Sequence, residues 1–411
     1  MREKILIVAV KHPNQTDEHF ESSLQELVSL CDTAGGTVKK VVTQKRNRIH
    51  PATYIGEGKI EEISQDVEEL EIDLVISNDE LSAGQSRNLS EALEVPLIDR
   101  SQLILDIFAM RARTKEGKLQ VELAQLEYLL PRLHGQGNQL SRLGAGIGTR
   151  GPGETKLETD QRHIRRRIYD IQRRFKVVVS QRAQYRKRRK TNQAFQIAIV
   201  GYTNAGKSTL FNRITKEQSL EENQLFATLD PLTRHFQFPS GFQALLTDTV
   251  GFLQDLPTAL IAAFKSTLEE VTEADFILHV VDGSHSDKEQ HQETVLKLLK
   301  DLDALSIPTL TVYNKKDKIN DEFIPNNHPY IVLSAYEKAD ITKLLLRIES
   351  ILETEWDWYS TLLDPDEGKM INRLEHETIM RKREFDEVQE KYKINGYIKQ
   401  AHPLQNKLKE Q

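Results

Sequence analysis

Residues 201–209 read Gly-Tyr-Thr-Asn-Ala-Gly-Lys-Ser-Thr and follow the apolar run Ile197-Ala198-Ile199-Val200. The spacing fits G-x-x-x-x-G-K-[ST], with Gly201, Gly206, Lys207 and Ser208 at the fixed places. A buried strand feeding such a turn can wrap a phosphate chain in backbone N–H groups, because Gly201 and Gly206 carry no Cβ. Tyr202, Thr203, Asn204 and Ala205 form the turn between them. A helix opening near Lys207 adds its positive N-terminal end. Lys207 is expected to reach the terminal phosphates, and the Ser208 hydroxyl to ligate Mg²⁺. This chemistry calls for a nucleoside triphosphate.

Further motifs follow in order. Residues 225–234 carry two threonines, Thr228 and Thr233, where a mobile segment could close over the third phosphate. The strand-like run 244–247 delivers Asp248-Thr249-Val250-Gly251. Its carboxylate can hold Mg²⁺ through a water, and the Gly251 N–H can sense the γ-phosphate. Residues 309–313 run into Asn314-Lys315-Lys316-Asp317, and 330–333 into Ser334-Ala335. P-loop, threonine, D-x-x-G, N-K-x-D and S-A in this order are the signature of the translation-factor class of GTPases. Asp317 selects the base, since a carboxylate accepts two hydrogen bonds from guanine that adenine cannot offer.

Phe252 follows the D-x-x-G motif. Ras-like enzymes commonly place a glutamine there to orient the attacking water, which phenylalanine cannot do. It is expected to pack, so hydrolysis needs another means. A docked partner could order Thr228 and the 248–252 segment. Alternatively, Asn204, where several related GTPases hold a potassium ion, could place K⁺ against the phosphates.

The elements that must position these groups are legible in the hydrophobic periods. Residues 4–10, 38–43, 73–77 and 95–98 read as strands, and 15–30, 58–70 and 83–93 as helices. This alternation predicts an open, mainly parallel α/β subdomain over 1–98. From 99 to 190 the period is helical. Leu119, Leu123, Leu126, Leu130 and Leu133 form one stripe, and Ile164, Ile168, Ile171, Phe175 and Val178 another, as in an antiparallel helical hairpin. The loop 134–155 between them holds seven glycines with Arg142 and Arg150. Thr155 and Glu158 read as a capping box that restarts the helix. A nucleotide domain over 195–355 and a small C-terminal domain over 356–411 complete an α/β multidomain chain. In the last of these, 370–390 reads as one amphipathic helix and 396–399 as a strand.

The net charge of −6 over 411 residues conceals an asymmetry: 161–190 hold thirteen Lys or Arg against one acid, Asp170. That surplus of twelve leaves −18 for the rest and points to a polyanion, nucleic acid first. Arg142, Arg150, Arg165, Arg166 and Arg173 are the expected RNA contacts, since arginine pairs with phosphate or stacks on bases. A lone cysteine, Cys31, permits no intrachain disulfide. With no apolar run of spanning length, a cytoplasmic protein is expected, and a monomer.

The chain resembles HflX-type GTPases along essentially its whole length. The specific stretches are Pro51-Ala52-Thr53-Tyr54-Ile55-Gly56-Glu57-Gly58-Lys59 and Arg150-Gly151-Pro152-Gly153-Glu154-Thr155-Lys156-Leu157-Glu158. Phe226-Ala227-Thr228-Leu229-Asp230-Pro231 and Asp248-Thr249-Val250-Gly251-Phe252 add to them. The resemblance implies an N-terminal α/β domain with a helical hairpin, a Ras-like G domain and a small C-terminal domain. It also implies binding to the large ribosomal subunit, with ribosome rescue or splitting under stress. By the family pattern Gly201–Ser208 cradle phosphate, Ser208 and Thr228 ligate Mg²⁺, and residues 226–230 form the first switch. Residues 248–251 form the second, and Asn314, Lys315 and Asp317 with Ser334, Ala335 and Tyr336 hold guanine; the match at Lys316 is weaker. A nucleotide-regulated RNA-binding or assembly protein with incidental hydrolysis is the alternative reading of the same motifs.

Overall fold

The structure, a computed structural model, describes residues 2–133, 156–191, 194–216, 225, 226, 228, 230–254, 268, 270–319 and 323–409. The chain divides into two compact units. The first holds residues 1–180 together with the 224–230 and 254–266 segments, and the second holds the remainder.

In the first unit, β1 (Lys4–Lys11), α1 (Asp17–Thr33), β2 (Thr37–Lys45), α2 (Glu57–Leu70), β3 (Leu74–Ser77), α3 (Ala83–Leu93) and β4 (Leu97–Asp99) alternate. The strands pair in the order β2-β1-β3-β4, all parallel, as the strand–helix alternation predicts. The interior of β1 is buried throughout, as befits a strand covered on both faces. A capping box starts α3: Ser82 accepts from the Gln85 N–H while the Gln85 side chain bonds back to Ser82.

Three helices follow: α4 (Arg100–Arg111), α5 (Lys115–Arg132) and α6 (Lys156–Thr191). Arg100 is buried and paired with Glu26 of α1, and it also donates to Asn78 beyond β3 (3.1 Å), so α4 is tied to the sheet domain. An Arg167–Glu122 pair (2.6 Å) links α6 to α5. The leucine stripe of α5 needs correction. Its best-buried line is Gly117, Gln120, Val121 and Ala124, whereas Leu119, Leu123, Leu126 and Leu130 are half-buried. The capping box expected at Thr155 lies outside the described residues.

In the second unit, β5 (Phe195–Gly201), α7 (Lys207–Thr215), β6 (Leu232–Gln237), β7 (Gln243–Asp248), β8 (Phe276–Asp282), α8 (Lys288–Asp301), β9 (Thr309–Asn314), β10 (Tyr330–Val332) and α9 (Lys338–Glu355) form the nucleotide domain. Its sheet runs β10-β9-β8-β5-β7-β6, parallel except for β6 against β7. The order reverses at β5, so a crevice opens at that strand's carboxyl end, where α/β sheets bind ligands. Thr233, expected in a mobile segment, lies in β6 opposite Thr247, their hydroxyls 2.9 Å apart.

The C-terminal domain differs from its sequence reading. β11 (Asp357–Leu363), α10 (Gly368–Glu377), β12 (Ile379–Asp386), β13 (Lys391–Ile398) and α11 (Pro403–Lys409) place an antiparallel sheet, β11-β13-β12, against two helices. The helix expected over 370–390 therefore stops at Glu377. Thr378 turns the chain, its hydroxyl donating to the Leu374 carbonyl (2.6 Å), and the next residues pair with β13.

Candidate active site

The P-loop emerges from β5, every residue of which is buried. Three glycines mark where backbone must stay uncovered. A Cβ on Gly201 would lie 2.2 Å from the Val280 carbonyl oxygen, one on Gly206 2.2 Å from Asn314 Nδ2, and one on Gly251 2.9 Å from Lys207 Nζ. Gly206 also has φ of +93°, which favours glycine. Asn204 at the turn's tip is left-handed too (φ 59°), a conformation asparagine tolerates. Thr203 is buried, and its hydroxyl has no hydrogen-bond partner among the described residues. Tyr202 stacks flat on His291 of α8, ring centroids 3.7 Å apart.

Lys207 is buried, and its ammonium donates to the Tyr202 carbonyl at 2.7 Å. Burial pulls its pKa down to about 8, with Asp248 opposing that shift. Ser208 donates to the Asp248 carboxylate at 2.8 Å. A hydroxyl and a carboxylate brought this close are hard oxygen donors of the kind Mg²⁺ takes. The donor set and the glycine-lined cradle thus fit a magnesium–phosphate group.

The D-x-x-G segment is fixed to the P-loop by two backbone hydrogen bonds. Thr203 N donates to the Phe252 carbonyl (2.8 Å), and Phe252 N to the Gly201 carbonyl (3.2 Å). The Thr249 hydroxyl bonds the Ile199 carbonyl (2.6 Å), and Val250 is buried. The Phe252 side chain is 2% exposed and packs with Ala198, Val200, Leu268 and Ile277. It is a core residue, as its chemistry demands.

The guanine motifs are connected to the same loop. Asn314 donates from Nδ2 to the Ala205 carbonyl (2.9 Å) and accepts from the Ala335 N–H (3.0 Å). Ser334 donates its hydroxyl to Asp317 (2.8 Å). Tyr336 is largely exposed, with the Arg213 guanidinium 5.9 Å from its ring centroid. Gly201–Ser208, Asp248–Gly251, Asn314–Asp317 and Ser334–Tyr336 are therefore gathered within the second unit.

Two supporting carboxylates were missed in the sequence. Asp282 pairs with Lys315 at 2.6 Å; burial raises its pKa, but hydrogen bonds from Lys315 and Ser284 outweigh that and hold it below the ordinary range. Asp340 accepts from the Ser334 N–H (3.1 Å). Burial raises its pKa too, and Ser334, Lys343 and Lys316 more than reverse this. The sheet register sets Asp282 opposite Asn314, a pairing that appears only once the strands are aligned.

The first-switch candidates behave differently. Phe226, Thr228 and Asp230 belong by their contacts to the first unit. Phe226 is buried with φ of 56° and meets Phe108 edge-on at 4.4 Å. Ala227 and Leu229 lie outside the described residues, as do Arg142 and Arg150. Arg165, Arg166 and Arg173 are exposed on α6.

Comparison with known proteins agrees with this geometry. The family described as "GTP-binding GTPase N-terminal" matches residues 21–109, and "GTP-binding GTPase Middle Region" matches 111–189. The family described as "50S ribosome-binding GTPase" matches 196–315. The GTPase HflX of Alkalihalophilus pseudofirmus is 55% identical over 97% of this chain and 94% of its own length. That of Caldanaerobacter subterraneus subsp. tengcongensis is 49% identical over 94% of this chain and 89% of its own. Among solved structures, a GDP complex of SsGBP is 24% identical, covers 85% of this chain and 98% of its own, and aligns with a TM-score of 0.49. On the strength of the sequence relatives, the chain belongs to the HflX family of GTPases.

Proposed function

We propose that this GTPase binds the large ribosomal subunit through its basic hairpin and uses its nucleotide state to engage and release it, rescuing or splitting ribosomes under stress. The observation that carries the reading is the run of exposed arginines on α6, joined to a chain whose nucleotide domain matches a family described as ribosome-binding. The matched description, 50S, favours the large subunit. Among the described residues no helix is long and apolar enough to cross a membrane. A monomeric cytoplasmic factor is the form proposed.

In this reading the 201–206 backbone and Lys207 hold the phosphates, while Asp317, backed by Ser334, reads guanine. Ser208 and Thr228 would hold Mg²⁺, which neutralises charge on the phosphates. Gly251 N–H faces the phosphate that leaves. Phe252 places no water, so slow intrinsic turnover is expected until a partner orders Thr228 and the 248–252 segment. K⁺ near Asn204 is the other way to supply that charge.

The test is sedimentation of the GTP-loaded protein with purified large subunits, small subunits and unrelated structured RNA. Selective pelleting with large subunits, and turnover raised by them, supports the proposal. Equal pelleting with all three would favour a general RNA-binding role. Potassium stimulation lost in Asn204→Ala would assign catalysis to the cation, and fast turnover of the isolated protein in sodium would overturn both accounts.

A further inference from the structure

One side chain on α6 is not explained by phosphate binding. Tyr169 is 71% exposed, and no hydrogen bond, ring contact or cation–π contact engages it among the described residues. Tyr128 on α5 is treated otherwise, with the Arg132 guanidinium 3.4 Å from its ring centroid. An isolated exposed aromatic is ordinary. The setting of this one is not. Its nearest neighbours on a helix surface are three and four residues away, and three of those four positions are Arg165, Arg166 and Arg173.

These side chains lie together on one open face of α6. Four arginines there, Arg162, Arg165, Arg166 and Arg173, stand with two carboxylates, Glu158 and Asp170. Arg173 bonds Asp170 (3.1 Å), a carboxylate already shared with Arg174 (2.8 Å), and among the described residues Arg165 reaches the Gln161 amide alone (3.3 Å). Arg166 makes no ion pair or hydrogen bond among the described residues. Arg162 precedes Arg165 and Arg166 by three and four residues, spacings at which like charges repel and weaken a helix, so the arrangement favours an anionic occupant. Duplex RNA or an acidic peptide would satisfy the arginines and leave the ring bare. An unpaired nucleotide satisfies both, because its base presents a π-face and its backbone presents phosphates.

We propose that Tyr169 is a stacking platform for an unpaired RNA base, with Arg166 and Arg173 holding the phosphates on either side. The inference rests on the RNA-contacting role proposed for α6 and extends it from the phosphate backbone to a base. Arg166 and Arg173 are seven residues apart, about 10 Å along the axis, with the ring between them.

The experiment titrates the full chain against a labelled unstructured RNA oligomer, the same sequence as a duplex, and an acidic peptide, at stepped salt. Tyr169→Ala should weaken oligomer binding about tenfold without changing the salt slope, because a neutral stack is lost. Tyr169→Phe keeps the ring and should stay within about twofold. Arg166→Gln should instead lower the slope by about 0.7, as expected for one single-strand phosphate contact. A 4-thiouridine oligomer should photo-crosslink at Tyr169. Wild-type affinity in Tyr169→Ala, preference for the duplex or the peptide, or no RNA binding by the wild type would each overturn the proposal. Failure to pellet with large subunits, with Tyr169-dependent oligomer binding intact, would sink the ribosomal reading and leave this one standing.

Discussion

Asp230 and Thr114 are bonded twice: the Asp230 carboxylate accepts from the Thr114 backbone N–H at 3.0 Å and from its hydroxyl at 2.6 Å. The Arg113 N–H adds a third bond at 3.3 Å. Thr114 is itself the N-cap of α5, accepting from the Gly117 N–H at 2.9 Å. A residue of the segment expected to be the first switch thus anchors the start of α5, with its negative charge where the helix dipole favours it.

Asp230→Ala should therefore loosen that helix start by about 1 kcal/mol, seen as faster amide exchange over residues 113–118. Gly117→Ala gives a sharper check. Helix propensity alone predicts stabilisation by about 1 kcal/mol. Here the new Cβ would sit 2.4 Å from Asp230 Oδ1, so the same loosening is expected. The double variant should be no worse than either single one, and additive effects would rule the anchor out.

Phe252→Gln restores the residue type that orients water in Ras-like enzymes, yet it should not speed hydrolysis. Both backbone groups of Phe252 are bonded to the P-loop, and its ring is buried. The amide would be buried without partners, costing about 1–3 kcal/mol. A denaturant midpoint and a single-turnover assay decide this; faster isolated turnover would mean that the segment reorients freely.

Asp317→Asn and Asp282→Ala should separate base choice from base-loop support. The first puts a donor where guanine needs an acceptor, so xanthine nucleotides should displace GTP in competition titrations. The second removes the partner of Lys315 (2.6 Å) and leaves Asp317 in place, so affinity should fall for all guanine nucleotides without loss of selectivity. If Asp282→Ala changes the preferred base, the division is wrong.

Acid should unfold the nucleotide domain through its histidines. Burial drives the His279 imidazole down to about 4, and its Nε2 has no hydrogen-bond partner among the described residues. His291 is also held near 4, first by burial and then by His285. The folded values lie below the ordinary 6.5, so the unfolded chain takes up the protons first as pH falls. Stability present above pH 6.5 should decline down to about pH 4, by up to ~1.4 kcal/mol per unit for each group. His279→Gln should flatten the slope of chemical stability against pH in that window.

The nucleotide motifs were legible because their function fixes residue type and spacing together. The strand-to-loop transitions at Gly201, Asp248 and Asn314 fall where the apolar runs end. Asp282 was invisible because it acts through a neighbour that only the sheet register supplies, and Asp340 because only the local turn before α9 brings its carboxylate back to the Ser334 N–H. The C-terminal misreading has a related cause. β12 is a mostly exposed edge strand, Met-Arg-Lys-Arg-Glu-Phe in its middle, with no alternating apolar pattern to betray it. Pairing with β13 decides its conformation, and propensity does not. On α6, the arginines announced themselves by charge while Tyr169 did not, since a single tyrosine carries no pattern until its exposure is known.

The two bonds of Asn314 have a thermodynamic consequence. Its amide spans the carbonyl of Ala205 in the phosphate loop and the N–H of Ala335 in the base loop. Ordering either loop therefore removes part of the entropy cost of ordering the other. Guanosine and pyrophosphate, offered as separate fragments, should each tighten the other's binding, and by the same factor in both directions. Severing that amide would leave both half-sites able to bind while making them strangers to one another.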